Sequence, residues 1–192
     1  MKEEILVIET ESLKDIIKGN PGLKEANEQT LFKLIKKKGI FKERDKVEQD
    51  PNYKQIIPYI AMINEKEEIL TLRRLNTHSE KRLHNKISLG VGGHINDEDS
   101  EAPLEAFKIG MQREIEEEVA VHLKETPVFL GVIYDNTTSV GQVHLGMAYK
   151  VKIEFHGINE IDKFEYSWKK ADELTKDIEA MENWSKFILK SL

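Results

Sequence analysis

Three glutamates at positions 114, 117 and 118 form the most informative chemical pattern in this sequence. An α-helix turns by about 100° per residue, so Glu117 and Glu118 fall within about 60° of Glu114 and the three carboxylates share one face. An amphipathic helix ordinarily places its charges opposite its apolar stripe. Here the small and apolar residues one and two turns upstream share the acidic sector, namely Phe107, Gly110 and Met111. The trio is therefore predicted to lie at the inner end of the helix.

Charge repulsion within this trio points to a cation that the helix does not supply. Glu114 and Glu118 form a like-charged i,i+4 pair, which costs a few tenths of a kcal/mol when exposed and more when partly buried. Arg113 is spaced to offset Glu116 or Glu117 only. Clustered carboxylate oxygens suit Mg²⁺ or Mn²⁺, which often share their site with substrate phosphates. The pattern predicts a divalent-cation site, and the alternative is a solvated acidic helix face.

The segment that contains these glutamates resembles the Nudix box of MutT-like hydrolases, G-x5-E-x7-R-E-U-x-E-E-x-G-U, in which U is aliphatic. The matching residues are Glu105, Arg113, Glu114, Ile115, Glu117, Glu118 and Val121. Two positions depart from the box. Eleven residues instead of five separate Gly93, taken as the box glycine, from Glu105, so residues 96–104 carry an insertion. Ala120 replaces the last glycine, which is expected to change only how the helix ends.

The resemblance extends to a subgroup of predicted Nudix phosphoesterases and covers most of the chain from about residue 50. It rests on residues 50–55, 58–59, 88–95 and 182–185. It implies an α/β (α+β) fold, the Nudix α/β/α sandwich with a mixed sheet, in which a strand–loop–helix–loop element carries the box. It also implies Mg²⁺-dependent hydrolysis of a diphosphate linkage in a nucleoside diphosphate-X substrate by a metal-activated water.

The resemblance also assigns roles to individual residues. Glu114, Glu117 and Glu118 are expected to hold Mg²⁺ or Mn²⁺, and Arg113 and Glu105 to organise the loop and the helix. For substrate binding, Gly92 and Gly93 would let the backbone come close to the phosphates. Arg73 and Arg74 end a predicted strand, and we expect at most one of them to hold a substrate phosphate. The general base stays open among the box glutamates and the acids of a later loop, Glu160, Asp162 and Glu165.

One alternative function comes from another class of protein, a non-catalytic Nudix-fold module that binds a nucleotide and regulates a partner. The usual mark of such modules is the loss of box acids, and here all of them are present. A Nudix-fold isomerase of isopentenyl diphosphate is disfavoured because its chemistry uses a cysteine and this chain has none. The absence of cysteine also excludes disulfides and Cys-ligated zinc.

Composition indicates a mildly acidic protein, and the resemblance implies a small-molecule nucleotide or other diphosphate as its substrate. The 192 residues include 35 Asp and Glu against 29 Lys and Arg, a net charge of −6, which gives no overall preference for nucleic acid. No stretch approaches the roughly 18 apolar residues of a membrane span, and the N-terminus lacks a signal-peptide pattern. We therefore expect a cytoplasmic protein without a membrane partner. Because Nudix proteins often form dimers, the resemblance suggests a homodimer.

The elements that must position these residues follow from hydrophobic periodicity and turn signals. Residues 1–50 are predicted to form an extension of strand and helix packed on the core, and residues 51–192 the Nudix domain. Strands are predicted over 4–10, 55–64, 68–74, 86–95, 127–135 and 140–154. Helices are predicted over 13–18, 25–38 and 103–122, followed by a helical C-terminal stretch with its apolar face over 174–188.

Overall fold

The computed structural model describes residues 2–75, 86–159 and 161–192. The chain forms two compact units. The first unit comprises Met1–Pro58, Gly92–Glu114 and Gly131–Met147, and the second comprises Tyr59–Val91, Ile115–Leu130 and Ala148–Leu192. Among the described residues, no helix has the length and apolar character needed to cross a membrane.

Strands and short helices alternate through most of the described chain. The strands are β1 (Glu4–Glu9), β2 (Gly22–Lys24), β3 (Ile40–Glu43), β4 (Tyr53–Ile63), β5 (Ile69–Arg74), β6 (Ile87–Ser88), β7 (Val119–Leu123), β8 (Val128–Tyr134), β9 (His144–Ile158) and β10 (Phe164–Lys169). The α-helices are α1 (Thr10–Leu13), α2 (Glu28–Lys38), α3 (Arg44–Val47), α4 (Pro103–Glu118), α5 (Ala171–Lys176) and α6 (Asn183–Ile188). Single 3₁₀ turns cover Ile178–Ala180 and Leu189–Ser191.

Hydrogen-bonded strands follow one another in the order β10-β5-β4-β9-β8-β2. In addition, β1 pairs with β3 and β4, β6 with β5, and β7 with β9. Strand β4 is buried along almost its whole length, as expected for an apolar run covered on both faces. This large mixed sheet with helices confirms the predicted α/β (α+β) class.

In the first unit, strand β1 supplies the core and positions the segments around it. Its residues 5–8 are almost fully buried, and it runs antiparallel to β3 and to the start of β4. Residues 1–50 thus pair directly with residues 53–55 inside this unit. The predicted domain boundary at residue 50 stays a prediction. Helix α2 begins at Asn27, whose Oδ1 accepts a hydrogen bond of 3.0 Å from the amide of Thr30.

In the second unit, a buried polar network joins three of the segments on which the extended resemblance rests. The hydroxyl of Tyr59 donates to Glu182 Oε1 at 2.6 Å and lies 2.8 Å from Ser185 Oγ. Ser88 Oγ lies 2.8 Å from the same Glu182 oxygen. A Cβ added at Gly90 would lie only 2.6 Å from the Tyr59 ring, so glycine permits this packing. The network fastens the start of α6 to the segment around β6.

The structure corrects several predicted boundaries. The helix predicted to reach residue 122 ends at Glu118, because residues 119–123 form β7 and pair with the distant strand β9. The glycine-rich run over 86–95 forms only the two-residue strand β6. The helix predicted over 13–18 is replaced by α1 over Thr10–Leu13, so residues 14–18 lie outside any helix. The sequence patterns also missed four strands, β2, β3, β7 and β10.

Candidate active site

The buried face of helix α4 extends along the helix as far as Glu114. Ala106, Phe107 and Ile115 are almost fully buried, and Gly110 lies in the same buried stripe. Glu114 is itself only 9% exposed, an unusual burial for a carboxylate. The sequence pattern therefore located this acid correctly on the inner side of the helix.

The other two glutamates of the trio are more accessible. Glu117 is exposed and Glu118 is half-buried, so the prediction that the whole trio lies on the inner side of the helix is wrong for Glu117. The end of α4 is fixed by Asn159, whose amide donates to Glu118 O at 2.9 Å and whose side-chain nitrogen donates to Glu116 O at 2.7 Å. Within the described ranges, no three acidic or histidine side chains converge closely enough to hold a metal ion. The predicted metal roles of Glu114, Glu117 and Glu118 thus rest on their spacing in α4 and on their chemistry.

Arg113 connects Glu114 to the loop that precedes the helix. The expectation that Arg113 could offset only Glu116 or Glu117 is therefore wrong, because its guanidinium pairs with Glu114. Its Nη1 donates to Glu114 Oε1 at 2.8 Å, and its Nη2 donates to the backbone oxygen of His94 at 2.9 Å. The same guanidinium also donates two parallel hydrogen bonds to Asp99, from Nε to Oδ1 at 2.8 Å and from Nη2 to Oδ2 at 2.9 Å. Only 3% of the Asp99 side chain is exposed, against 28% of that of Arg113. This two-bond pair combines charge with fixed geometry.

Sequence reasoning missed Asp99 as a site residue, although a signal for it was present. Five residues separate Gly93 from Asp99, which is the glycine-to-acid spacing of the box. Glu105, chosen for its spacing to Arg113, is exposed on α4, and within the described part of the chain its side chain forms no ion pair. The role assigned to Glu105 stays a prediction.

The backbone of Gly93 lies directly against the Glu114 carboxylate. A Cβ added at Gly93 would lie 2.2 Å from Glu114 Oε2 and 2.6 Å from Cδ. Only glycine leaves room for the carboxylate in this cradle, and Gly92 lies half-buried next to it in the chain. The residues fit a hard divalent cation in their chemistry, because the donors on α4 are carboxylate oxygens.

Two half-buried histidines, His94 and His144, lie next to this glycine segment. His94 Nε2 is 2.7 Å from Gln55 Oε1 and 3.3 Å from His144 Nε2. Since a carbonyl can only accept, the 2.7 Å contact between His144 Nδ1 and Val140 O places a proton on that nitrogen. Burial, reinforced by nearby Arg44, lowers the pKa of His94 to about 3. Burial also lowers the pKa of His144, so both rings are neutral at pH 7.

Among the described residues, Arg73 and Arg74 lie on β5, Glu165 lies on β10 and Asp162 precedes β10. Arg73 is exposed on β5 and stands opposite Glu165 in the register with β10. Arg74 pairs with Phe164 in the same register. Asp162 is exposed, and Glu160 lies outside the described residues. The functional roles of these residues stay predictions.

The comparisons with known proteins identify the family. No family model matches this chain. The crystal structure of Tm1382, a predicted Nudix hydrolase, is 36% identical and superposes with a TM-score of 0.88 over 98% of this chain and 97% of that chain. This chain belongs to the Nudix hydrolase family. The predicted family and enzyme class are thereby confirmed.

The comparisons also give a relative in sequence and a second protein that shares the fold. Protein YmaB of Bacillus subtilis (strain 168) is 36% identical over 154 residues, which are 76% of this chain and 74% of that protein. The MutT NUDIX hydrolase from Burkholderia pseudomallei shares the fold, with 20% identity and a TM-score of 0.55 over 72% of this chain and 97% of that one. Nudix hydrolases act on phosphoric anhydride bonds and generally use divalent metals.

Proposed function

We propose that this Nudix hydrolase uses Mg²⁺, or Mn²⁺ in its place, to cleave the diphosphate linkage of a substrate of the nucleoside diphosphate-X type. The observation that carries the proposal is the buried carboxylate of Glu114, which Arg113 holds and which has room only because residue 93 is glycine. One protein of this fold, the NUDIX domain of Shewanella oneidensis NrtR, is described in complex with ADP ribose. It is 11% identical, with a TM-score of 0.51 over 70% of this chain and 82% of that one.

In this proposal, Glu114, Glu117 and Glu118 hold the cation. A bound divalent cation neutralises diphosphate oxygens and lowers the pKa of a coordinated water. The protein contributes position, because Arg113 fixes one oxygen of Glu114 and Gly93 leaves room for that carboxylate. In the proposal, the backbone of Gly92 and Gly93 also lets the phosphates come close. In the reaction, a water oxygen forms a bond to phosphorus while the bridging P–O bond breaks.

Two further roles, recognition of the substrate and acceptance of a proton, are proposed for residues of the second unit. The attacking water must lose a proton to a base, for which Asp162 and Glu165 are the described candidates outside the box. Arg73 is exposed and carries a guanidinium that can bind a phosphate through two parallel hydrogen bonds. Replacing Arg73 with Gln should raise KM for a phosphate-rich substrate with a smaller effect on kcat.

Product analysis with matched glutamine variants tests the proposal. The protein is incubated with nucleoside triphosphates, dinucleoside polyphosphates, nucleotide sugars and NADH, with Mg²⁺ or with a chelator. Glu117→Gln and Glu118→Gln should abolish turnover, since each removes a negatively charged donor. Glu116→Gln, at an exposed neighbour outside the trio, should keep turnover within about twofold, the size expected for a surface charge that does not bind the cation. Turnover by the Glu117 or Glu118 variant within tenfold of the unmodified protein would refute the proposed metal site.

Two broader features of the proposal concern assembly and cellular location. We propose a homodimer that acts on small molecules in the cytoplasm and does not depend on nucleic acid. One chain has a mass of 22.2 kDa. Light scattering of the purified protein should give twice that mass. A single-chain mass at micromolar concentration would refute the dimer without affecting the proposed reaction.

A further inference from the structure

We infer that Asp99, in the inserted loop, is the positioning carboxylate of the Glu114 site and takes the role that the box spacing gives to Glu105. This inference rests on the proposed function, because it concerns how the proposed metal ligand Glu114 is held. Asp99 does not touch substrate in this scheme. It acts through Arg113.

The geometry of the guanidinium carries the first step. Asp99 accepts hydrogen bonds from Nε and Nη2, and the second N–H of Nη2 donates to the carbonyl of His94. With that edge fixed, the plane of the guanidinium is fixed, and Nη1 is directed at Glu114 Oε1. Removing one acceptor and the charge from Asp99 would weaken this hold on the guanidinium, and Arg113 would fix the direction of the Glu114 carboxylate less firmly.

The second step comes from a glycine inside helix α4. A Cβ added at Gly110 would lie 2.5 Å from Asp99 Oδ2 and 2.6 Å from Cδ1 of Ile95. Glycine within a helix costs about 1 kcal/mol relative to alanine. The chain therefore has a poor helix former at the very position where the loop carboxylate lies against the helix.

The third step is that the loop itself is built and anchored. Asn96 and Asp99 exchange hydrogen bonds, Asn96 N to Asp99 Oδ2 at 3.1 Å and Asp99 N to Asn96 Oδ1 at 3.2 Å. Strand β1 holds the start of this turn, with Leu6 N donating to Ile95 O at 2.7 Å and Asp97 N donating to Glu4 O at 3.3 Å. The N-terminal strand thus helps to place Asp99, which gives part of residues 1–50 a function in the site.

Manganese binding provides a test that does not require a substrate. Mn²⁺ is titrated into the full-length protein and followed by electron paramagnetic resonance. Residues that orient metal ligands from behind typically contribute 10–100-fold to metal affinity. Asp99→Asn, which keeps the shape but removes the charge, should weaken Mn²⁺ binding at least tenfold. It should raise the Mg²⁺ concentration for half-maximal activity by a similar factor.

Two matched controls separate Asp99 from its neighbours. Asp97→Asn makes the same change on an exposed residue of the same loop, and Glu105→Gln tests the rival acid. Both should leave Mn²⁺ affinity within about twofold of the unmodified protein, as expected for surface charges. Unchanged binding by Asp99→Asn, or an equal loss in Glu105→Gln, would overturn the inference.

A second perturbation covers the case in which Asp99→Asn fails to fold. Gly110→Ala adds a better helix former but displaces the Asp99 carboxylate, so it should weaken Mn²⁺ binding while the helix remains intact by circular dichroism. Wild-type binding in Gly110→Ala would contradict the inference. If the unmodified protein bound no Mn²⁺ and hydrolysed nothing in the panel, the proposed function would fail together with it. Normal binding and turnover with insensitivity to Asp99 would overturn the positioning role alone.

Discussion

Replacing Gly93 with alanine should remove activity while leaving the fold in place. The new Cβ would lie 2.2 Å from Glu114 Oε2, where an ordinary contact needs 3.4 Å or more. The carboxylate would therefore have to withdraw by about 1.2 Å, and a misplacement of about 1 Å in a catalytic arrangement can cost about 10²-fold. The backbone at Gly93 lies outside the left-handed region, so alanine itself is compatible with the chain.

The same geometry limits the loss of stability. The Glu114 carboxylate is the end of a flexible side chain, so the displacement stays local. The hydrogen bond from Arg113 is weakened, at a cost of about 1–2 kcal/mol given the partial exposure of the arginine. For a chain of this size, each kcal/mol lowers Tm by about 2–4 °C. We expect kcat to fall about 100-fold and Tm to fall by several degrees at most.

A double-mutant cycle makes this prediction specific to Glu114. Hydrolysis at saturating Mg²⁺ is measured for Gly93→Ala, Glu114→Gln and the double variant, and unfolding is followed by circular dichroism. If the alanine acts by displacing Glu114, the double variant should be no slower than Glu114→Gln alone, because coupled sites are not additive. Activity of Gly93→Ala within threefold of the unmodified protein would refute the reasoning, and so would full additivity in the double variant.

Three further predictions concern His94, Tyr59 and Gly90. Because the pKa of His94 is about 3 in the fold and ordinarily 6.5, the unfolded chain binds the extra proton between these values. Acidification through this window should therefore lower the unfolding free energy by up to about 1.4 kcal/mol per pH unit, and His94→Gln should show a shallower slope in denaturant titrations from pH 7 to 5. Tyr59→Phe removes the donor to Glu182 and should cost about 1–3 kcal/mol in the same titration at pH 7. Gly90→Ala should cost about 1–3 kcal/mol, since its Cβ would press on the rigid Tyr59 ring, and an unchanged midpoint would contradict that packing.

The parts of the site that depend on local periodicity were predictable from the sequence. The helical spacing of α4 correctly placed Glu114 on the inner side, because burial along one helix follows its 3.6-residue repeat. The end of the helix was not predictable in this way. Val119 and Val121 fit a helix or a strand equally well by pattern, and pairing with β9, more than thirty residues away, decides for the strand.

The partner of Arg113 shows a different limit of sequence reasoning. Glu105 and Asp99 are both acidic and both precede the arginine, and the box spacing to Arg113 favours Glu105. The path of the loop decides between them, and that path depends on backbone contacts of Ile95 and Asp97 with β1. These contacts join residues about ninety positions apart, so a short sequence motif cannot reveal them.

The insertion preserves the box spacing between Gly93 and Asp99, and this spacing explains the position of Asp99. Arg113 donates to the carbonyl of His94, the residue after Gly93, while Gly93 itself lies against Glu114. The glycine therefore marks the place at which the loop meets the arginine, and an acid five residues further on returns to the same guanidinium. The extra residues come after Asp99 and lead into the first turn of α4, where they alter neither the glycine-to-acid distance nor the Arg113–Glu114 step. Asp99, which keeps the box spacing to the glycine, can therefore pair with Arg113. Glu105, which keeps the box spacing to the arginine, lies instead at an exposed position on the helix.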